Sequence, residues 1–546
     1  MHGLKKFSKP ILPIRQNYFD LIKKFQIKVP KFFNISEACC DKWIKNDFNR
    51  VAITNIDEDN YKSNWTYGKI HTSANSLANS LIKHGVKKGD RIVLMLPQGP
   101  EVIISHFASY KIGAIVVPLF TLFGPDAIQY RLKDSGAKIL ITNKENFSKI
   151  EKINPDSNQI QSIYCIENID KNIFSFWDEI NNSSENFENY KTLSKDPAIM
   201  IYTSGTTGYP KGVLHAHRFL LGHLPNIEIS HDGFPKDRDC GWTPADWSWI
   251  GGLMDLAMPC LYYGVPLISY RMKKFDPKIA WKLIGKEKIR NLFLPPTALK
   301  LMREIDVPSN VNVRTIASGG ESVGEELLKW AKNSLGITIN EIYGQTECNL
   351  VISSNRSIEP TPKGSMGKVV PGHEIMLMDT QGKKVPPNKI GEIAVKSPHP
   401  VIFLKYWNKR EETRKKFLKN WLLTGDLGKV DKKGFFKFIS RNDDVIISSG
   451  YRIGPSEIED CLLRHESVLN SAVIGVPDKT RTEIIKAFIV LNDGFLKEGL
   501  KEELINFVRI NLSPHLMPKE IEWISDLPMT ATGKIMRNKL RKNITD

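Results

Sequence analysis

Cysteine is scarce: 546 residues hold seven, and only Cys39 and Cys40 are neighbours. Cys165, Cys240, Cys260, Cys348 and Cys461 are scattered. No CxxC pair and no zinc-ligand spacing occurs, which excludes a zinc ribbon or a thioredoxin-type redox centre. An odd, dispersed set fits buried thiols in a reducing compartment, not a disulfide framework. Internal repeats and low-complexity tracts are also missing. The N-terminal stretch has no apolar segment with a small-residue cleavage site, so no secretory signal is expected. It is Lys-rich, carries Pro10, Pro13 and Pro30, and is poor in Ser, so a transit peptide is not expected either. Ile250 to Tyr270 holds a single charge, Asp255, and is long enough to cross a bilayer. Pro259, Gly264 and Pro266 interrupt it, which predicts a buried helix followed by a strand. The expected location is the cytoplasm, without stable membrane insertion.

What is present is globular in kind, with 41% hydrophobic and 25% charged residues, near the averages for folded domains. The net charge is +17, and residues 1–50 carry 11 basic against 4 acidic side chains. Residues 444–546 carry 14 against 15. Such a surplus permits nucleotides, nucleic acid or a membrane surface as partners, and equally a solvated Lys-rich face. No aromatic–basic interleaving and no helix joining a basic to a large apolar face is present. Nucleic-acid and membrane binding therefore do not follow.

From about Asn64 the pattern alternates helix and strand. Ile70–His84, Glu101–Ile112 and Ala127–Ser135 read as helices, and Arg91–Leu96, Ala114–Leu119 and Ala137–Ile141 as short apolar strands. Repeats of this kind imply parallel strands with helices on both faces. Residues 143–195 are polar and carry weak signals. Apolar runs return from Ala198 to about Ile439 and include a Gly/Pro-rich, strand-like part from Gly364 to Tyr406, a candidate small β subdomain. After Asp443 the character changes to about 100 residues of α+β, enough for a small separate domain. Its elements are a helix from Pro455, strands at Val468–Val476 and Lys486–Leu491, a helical stripe through Leu500, Leu504 and Val508, and a strand at Ile521–Ile524. The expected fold class is α/β. A large N-terminal domain of parallel-rich sheets, with a β subdomain, precedes a small α+β C-terminal domain.

Five strings carry chemistry. Tyr202-Thr-Ser-Gly-Thr-Thr-Gly-Tyr-Pro-Lys-Gly212 follows an apolar run. Its glycines permit tight curvature, and its hydroxyls, N–H groups and Lys211 can cradle phosphate oxygens. It is not a Walker A loop, because Pro210 precedes the lysine and Gly212 follows it. Glu341-Ile-Tyr-Gly-Gln-Thr-Glu347 offers a carboxylate that can hold Mg²⁺ beside phosphates. Thr424-Gly-Asp426 presents an Asp that can accept ribose hydroxyls. Arg441-Asn-Asp-Asp-Val-Ile-Ile-Ser-Ser-Gly-Tyr-Arg452 couples two arginines to a glycine loop at the change of composition. Pro528-Met-Thr-Ala-Thr-Gly-Lys-Ile-Met-Arg537 places a lysine in a small-residue loop. Singly, each string also fits an ordinary polar turn, linker or basic tail.

In this order the five strings resemble the adenylate-forming acyl-CoA synthetases, from about Phe33 to Leu540. Ser318-Gly-Gly-Glu321, Pro362-Lys-Gly-Ser-Met-Gly367 and Ser448-Ser-Gly-Tyr-Arg-Ile-Gly-Pro455 look most like the medium-chain members. The resemblance implies an ATP-dependent, AMP-forming carboxylate–CoA ligase of the kind found in fatty acid metabolism. In such enzymes a carboxylate attacks the α-phosphorus of ATP. A mobile C-terminal domain then rotates, and the CoA thiol takes the acyl group. The implied cofactors are ATP, Mg²⁺ and coenzyme A.

The implied division is 1–440, a hinge at 441–443 and a lid at 444–546. Thr203, Ser204, Gly205, Thr206, Thr207, Gly208 and Lys211 would hold the β- and γ-phosphates. Gly319, Gly320 and Glu321 would line the adenine pocket with Glu341, Ile342 and Tyr343, beside Gly344 and Gln345. Thr346 would contact the α-phosphate, and Glu347 would bind Mg²⁺. Asp426 would take the ribose hydroxyls, supported by Arg441. Lys534 would bridge the substrate carboxylate and ATP oxygens, stabilising charge that grows between two anions. Asp443 matches the hinge. Ser449, Gly450, Tyr451 and Arg452 match the loop facing the pantetheine tunnel, and Arg481 and Lys519 are candidates for CoA phosphates.

Acetate-specific relatives carry Trp where this chain has Gly344, so an open pocket is expected. It would suit an acid of about four to ten carbons, or a small aromatic acid, with a soft boundary because one methylene discriminates weakly. Trp247, Trp249, Gly251 and Met254 are placed on or behind that pocket, or in ordinary core. Asn442 and His515-Leu-Met-Pro518 depart from the family pattern near the CoA side. The alternatives are an adenylation enzyme that loads a carrier-protein phosphopantetheine, and an acetate-preferring ligase.

Overall fold

The computed structural model describes residues 7–13, 18–153, 160–169, 173–203, 210–356, 358–441, 444–448, 451–478, 482–512, 516–530 and 534–545. An eight-stranded sheet takes the order Lys405–Tyr406, Lys211–Ala216, Pro197–Thr203, Ile115–Pro118, Arg91–Met95, Ile139–Thr142, Ser162–Cys165, Phe174–Ser175. Its interior pairs are parallel, and the two pairs nearest Lys405 are antiparallel. A nine-stranded sheet runs Lys368–Val369, Asn349–Ser353, Ile339–Gln345, Thr315–Gly319, Asn291–Phe293, Gly241–Trp242, Leu267–Tyr270, Val51–Ile56, Lys62–Thr66. It too is parallel inside and antiparallel at its margins.

The two sheets share one helical layer. Ile92, Val116 and Ile199 of the first sheet and Ile53, Leu267 and Ile342 of the second belong to one buried cluster. Helices Tyr67–Lys83, Pro100–Ile112 and Phe219–Ser230 fill it. Tyr67–Lys83 forms because Ile70, Ala74, Leu77, Ala78 and Leu81 recur at helical spacing and are fully buried. Thr66 caps its start by accepting the Lys69 N–H at 3.1 Å. Pro100–Ile112 is buried on all sides, as a helix between two sheets must be. Its Lys111, with no exposed surface, is neutralised by Asp41 at 2.8 Å. The outer faces of the two sheets carry further helices, Pro125–Ser135 on the first and Pro277–Lys286 and Pro296–Arg303 on the second.

Ile250–Tyr263 is helical with a π-turn at Leu253–Ala257 and leads to the strand Leu267–Tyr270. That is the helix and strand read from the sequence, and no described helix is long and apolar enough to cross a membrane.

The β subdomain differs from the sequence reading. It is a five-stranded antiparallel sheet of Ile375–Met378, Gly391–Lys396, Trp421–Val430, Phe417–Leu418 and Phe436–Arg441. The segment Gly364–Tyr406 supplies only its first half, and Lys405–Tyr406 instead pairs with Lys211–Ala216. The apolar alternation of Trp421–Arg441 continues that of the earlier strands, but a short helix, Arg410–Lys415, separates them in sequence. Residues 143–195 also hold more order than their composition indicated, with helices Lys144–Ile150 and Phe176–Asn181.

The C-terminal part is α+β as expected. Tyr451–Ile453, Ile446–Ser448, Thr482–Leu491, Val468–Asp478 and Glu520–Trp523 make its sheet. Pro455–Leu462 and Leu500–Asn511 cover one face, through Ile458, Cys461, Leu504 and Val508.

Candidate active site

Parallel strands Thr315–Gly319 and Ile339–Gln345 pair in the register Gly319↔Ile342, so both open at the same edge. The carboxyl ends of strands in an open α/β sheet are where ligands bind. Gly319 is required by that packing, since a Cβ there would lie 2.5 Å from the Ile342 carbonyl oxygen. Gly320 takes φ +94°, a conformation that favours glycine. Glu341 points away from solvent and fastens the next loop: its Oε1 accepts the Val323 N–H at 3.4 Å. Burial pushes its carboxyl up to about 7, against the pull of that N–H and of Arg356.

Asp426 is the hub. It is 5% exposed. Its Oδ2 accepts the Tyr343 hydroxyl at 2.7 Å and the Gln345 amide at 2.9 Å. Arg441 sits opposite it in the antiparallel register, with Nε 3.7 Å from Oδ1. The strand segment carrying Asp426 is fixed from outside the motif. Glu392 Oε1 accepts the Gly425 N–H at 2.8 Å, and Lys416 donates to the Leu423 and Thr424 carbonyls at 3.2 Å each. Gly425 has φ +78°.

Glu347 is buried and accepts the Tyr406 hydroxyl on Oε1 at 2.6 Å, while its backbone carbonyl holds the Phe403 N–H at 2.9 Å. No described residue partners its Oε2. A carboxylate oriented through one oxygen and open at the other suits a divalent cation beside phosphates. Lys211 forms an ion pair with Glu412, and its ammonium lies 5.2 Å from the Tyr406 ring centroid. Thr203 pairs with Lys211 across the two strands. Ser204, Gly205, Thr206, Thr207 and Gly208 lie outside the described residues.

Lys534 enters the same cleft. Desolvation, then the Arg441 guanidinium, draw its ammonium below the ordinary lysine value, and Asp426, Glu321 and Glu347 oppose them. The residue keeps an exposed surface, so solvent screening weakens these effects. Burial raises the Glu321 carboxyl, with Lys300, Lys534 and Arg537 pulling it down. The loop is braced at both ends. Thr530 Oγ1 accepts the Lys534 N–H at 3.1 Å, and Arg537 grips Glu459.

Five strings far apart in sequence thus converge, through their described residues, on one cleft. Asp443, Ser449, Gly450 and Arg481, with Asn442 and His515, lie outside the described residues. The backbone of Tyr451 and Arg452 forms a short strand paired with Ile446–Ser448, and their side chains are outside the description. Sequence reasoning missed Tyr406, Glu392 and Lys416. Each is an ordinary residue of a β strand or loop whose role exists only through a distant partner. Of the four acyl-side candidates, Trp247 and Met254 are each 1% exposed and belong to the core, whereas Trp249 and Gly251 keep surface.

Gly344 answers to the backbone first. It pairs with Leu350 at a bulge, and a Cβ there would lie 1.6 Å from the Asn349 carbonyl oxygen. A side chain at 344 requires the hairpin itself to move, which the sequence comparison with acetate-specific enzymes did not reveal.

Known proteins share this sequence pattern and fold. The AMP-binding enzyme family model matches residues 40–407, and the model of the AMP-binding enzyme C-terminal domain matches 457–534. A mitochondrial acyl-coenzyme A synthetase of Homo sapiens, ACSM3, is 30% identical over 552 residues, covering 96% of this chain and 92% of its own. The crystal structure of an acyl-CoA synthetase from Brucella canis is 32% identical, with a TM-score of 0.74 and coverage of 97% and 99%. That of the anthranilate CoA ligase AuaEII with anthranoyl-AMP is 28% identical, with a TM-score of 0.86 and coverage of 95% and 98%. The chain belongs to the AMP-binding enzyme family and is an AMP-forming acyl-CoA synthetase, an acid–thiol ligase.

Proposed function

We propose that this enzyme activates a carboxylic acid longer than acetate, of short to medium chain or small aromatic, and passes it to CoA. The observation that carries the reading is that Lys534 lies within electrostatic reach of Asp426, Glu321 and Glu347, beside the hydrogen-bonded cluster of Asp426, Tyr343 and Gln345. That is a cation set among the groups that would hold ATP, placed for the adenylating half-reaction. Residues 1–440 act as the ATP- and acid-binding body, 441–443 as the hinge and 444–546 as the lid.

Attack of a carboxylate on the α-phosphorus brings two anions together, so the barrier falls chiefly through positioning and charge stabilisation. In this reading Asp426 orients the ribose, with its own orientation set by Tyr343 and Gln345. Thr203 to Lys211 hold the terminal phosphates, and Glu412 releases Lys211 when a stronger anion arrives. Thr346 contacts the α-phosphate. Glu347, oriented by Tyr406, would hold Mg²⁺, which supplies neutralisation of phosphate charge. Lys534 donates to the oxygens between the acid and the phosphate. Rotation about Asp443 then removes Lys534 and brings Ser449, Gly450, Tyr451 and Arg452 to the pantetheine side, with Arg481 toward the CoA phosphates. The seven cysteines are free, which fits a reducing compartment, the cytoplasm.

Release of AMP and pyrophosphate is measured with ATP, Mg²⁺ and CoA across straight-chain acids from two to twelve carbons plus benzoate. The expected result is a maximum at intermediate length or benzoate that vanishes in Lys534→Ala. A maximum at acetate would overturn the substrate class. AMP formation indifferent to CoA would shift the acceptor to a carrier protein.

A further inference from the structure

Buried in the helical layer behind Thr346 is an acid–imidazole pair that adenylation does not use. His223, on the helix Phe219–Ser230, lies with Nε2 2.9 Å from Oδ1 of Asp255, on the π-turn Leu253–Ala257. The His223 side chain has no exposed surface, whereas Asp255 keeps 7% of its own. The second carboxylate oxygen, Oδ2, has no partner among the described residues and is not fully occluded. It lies 3.7 Å from the position a Cβ would take on Gly251, and the Phe293 ring lies 3.1 Å from that same position. Phe293 is the last residue of a parallel strand of the nine-stranded sheet, and the carboxyl ends of such strands are where ligands bind in open α/β sheets. Gly251 has no side chain to fill the space between.

The pair connects toward the reacting end. His215 lies against the Thr346 backbone and within electrostatic reach of His223. The Nδ1 atom of His223 and both ring nitrogens of His215 are buried without a hydrogen-bond partner among the described residues. An ionised carboxylate offers about four acceptor sites, and buried polar groups in folded proteins are nearly always satisfied. One imidazole contact leaves the second Asp255 oxygen without a partner among the described residues, beside Gly251 and the Phe293 ring. A pocket meant for a plain alkyl chain gains nothing from such a group. A π-turn in the supporting helix is a further mark of a functional position.

We infer that Asp255, held by His223, is a specificity determinant at the far end of the acyl pocket, and that the preferred acid carries a hydrogen-bond donor, a hydroxyl or amino group, distal to its carboxylate. The inference rests on the ligase reading above and narrows it. A carboxylate at this position accepts from such a donor and repels a second carboxylate, so dicarboxylic acids are rejected.

The test compares kcat/KM, from pyrophosphate release, for matched acids: butanoate with 4-hydroxybutanoate, 4-aminobutanoate and succinate, and benzoate with its 3- and 4-hydroxy forms. The expected result is a preference of about tenfold or more for at least one donor-bearing acid over its plain homologue, with succinate excluded. In Asp255→Leu that ratio should collapse toward one. Asp255→Asn, which keeps an acceptor oxygen but loses the charge, should lower the ratio for 4-aminobutanoate and admit succinate, and His223→Phe should reduce the ratio in part. Asp255→Asn preserves shape and keeps the test open if the leucine variant does not fold. A wild-type enzyme that prefers plain acids throughout would overturn the inference while leaving the ligase intact. So would an Asp255→Asn variant that slows every acid equally. Absence of pyrophosphate release with any acid would instead overturn the ligase reading itself.

Discussion

Arg537 and Glu459 form a two-pronged ion pair, with one guanidinium nitrogen 2.7 and 2.6 Å from the two carboxylate oxygens. Glu459 Oε1 also accepts the Val473 N–H at 2.7 Å. The pair ties the base of the Lys534 loop to the helix Pro455–Leu462 and to the strand Val468–Asp478 of the C-terminal sheet. Removing the cation leaves a largely buried carboxylate uncompensated. Arg537→Ala is expected to destabilise the C-terminal part by about 3 kcal/mol and to slow adenylate formation more than ATP binding. Denaturant unfolding and pyrophosphate exchange measure the two effects, and equal losses of kcat and ATP affinity would contradict the positioning role.

Tyr406 and Glu347 make the second test. Tyr406→Phe removes only the hydroxyl that orients the carboxylate. The fold should survive, the Mg²⁺ concentration for half-maximal rate should rise several-fold, and kcat/KM for ATP should fall by about tenfold. The KM for the acid should not move. An unchanged Mg²⁺ requirement would remove Glu347 from the metal role.

Glu392 acts one step further out, through the Gly425 N–H. Glu392→Ala frees the strand segment that presents Asp426, and Glu392→Gln keeps an acceptor in place. The alanine variant should raise the KM for ATP about tenfold and the glutamine variant much less. If both variants match the wild type, the strand segment holds its shape without Glu392.

Burial raises the Glu341 carboxyl from its ordinary 4.5 to about 7. Between those values the folded protein retains a proton that the unfolded chain has released, so stability falls as pH rises through the window. The contribution of the protonated form is complete below about pH 4.5 and gone above about 7. Glu341→Gln keeps the acceptor for the Val323 N–H and never ionises. Its advantage over wild type should grow from little near pH 5 to about 3 kcal/mol at pH 8, read by chemical denaturation at both values. A difference independent of pH would show that Glu341 is ionised throughout.

Gly344→Trp should not convert the enzyme to acetate. With the Asn349 carbonyl 1.6 Å from the position of any Cβ, even Gly344→Ala should cost about 3 kcal/mol or more by forcing the hairpin apart. The melting temperature and the rates with acetate and a longer acid decide the matter. A stable, acetate-selective tryptophan variant would show that the hairpin yields easily.

The parallel-rich architecture and the five strings were open to reading because each is local. Buried parallel strands show as short apolar runs, and loops that wrap a nucleotide need contiguous glycines, hydroxyls and charges. The boundary of the β subdomain was misread because Arg410–Lys415 breaks its pattern and Lys405–Tyr406 crosses to another sheet. The supports of the site were not readable at all. Tyr406 reaches Glu347 from 59 residues away, Glu392 reaches Gly425 from 33, and His223 reaches Asp255 from 32. In sequence Asp255 was merely the one charge in an apolar run.

The sequence by itself determined the α/β class with its small C-terminal domain, the family, and the strings that are candidates for contact with ATP. Backbone periodicity and loop chemistry act over a few residues, and both are written in consecutive letters. Only the tertiary structure decided how those groups are oriented, how closely the Asn349 carbonyl approaches position 344, and that Asp255 pairs with His223. A hydrogen bond or a steric limit depends on atoms a few ångströms apart, and which atoms those are is settled only when distant segments pack.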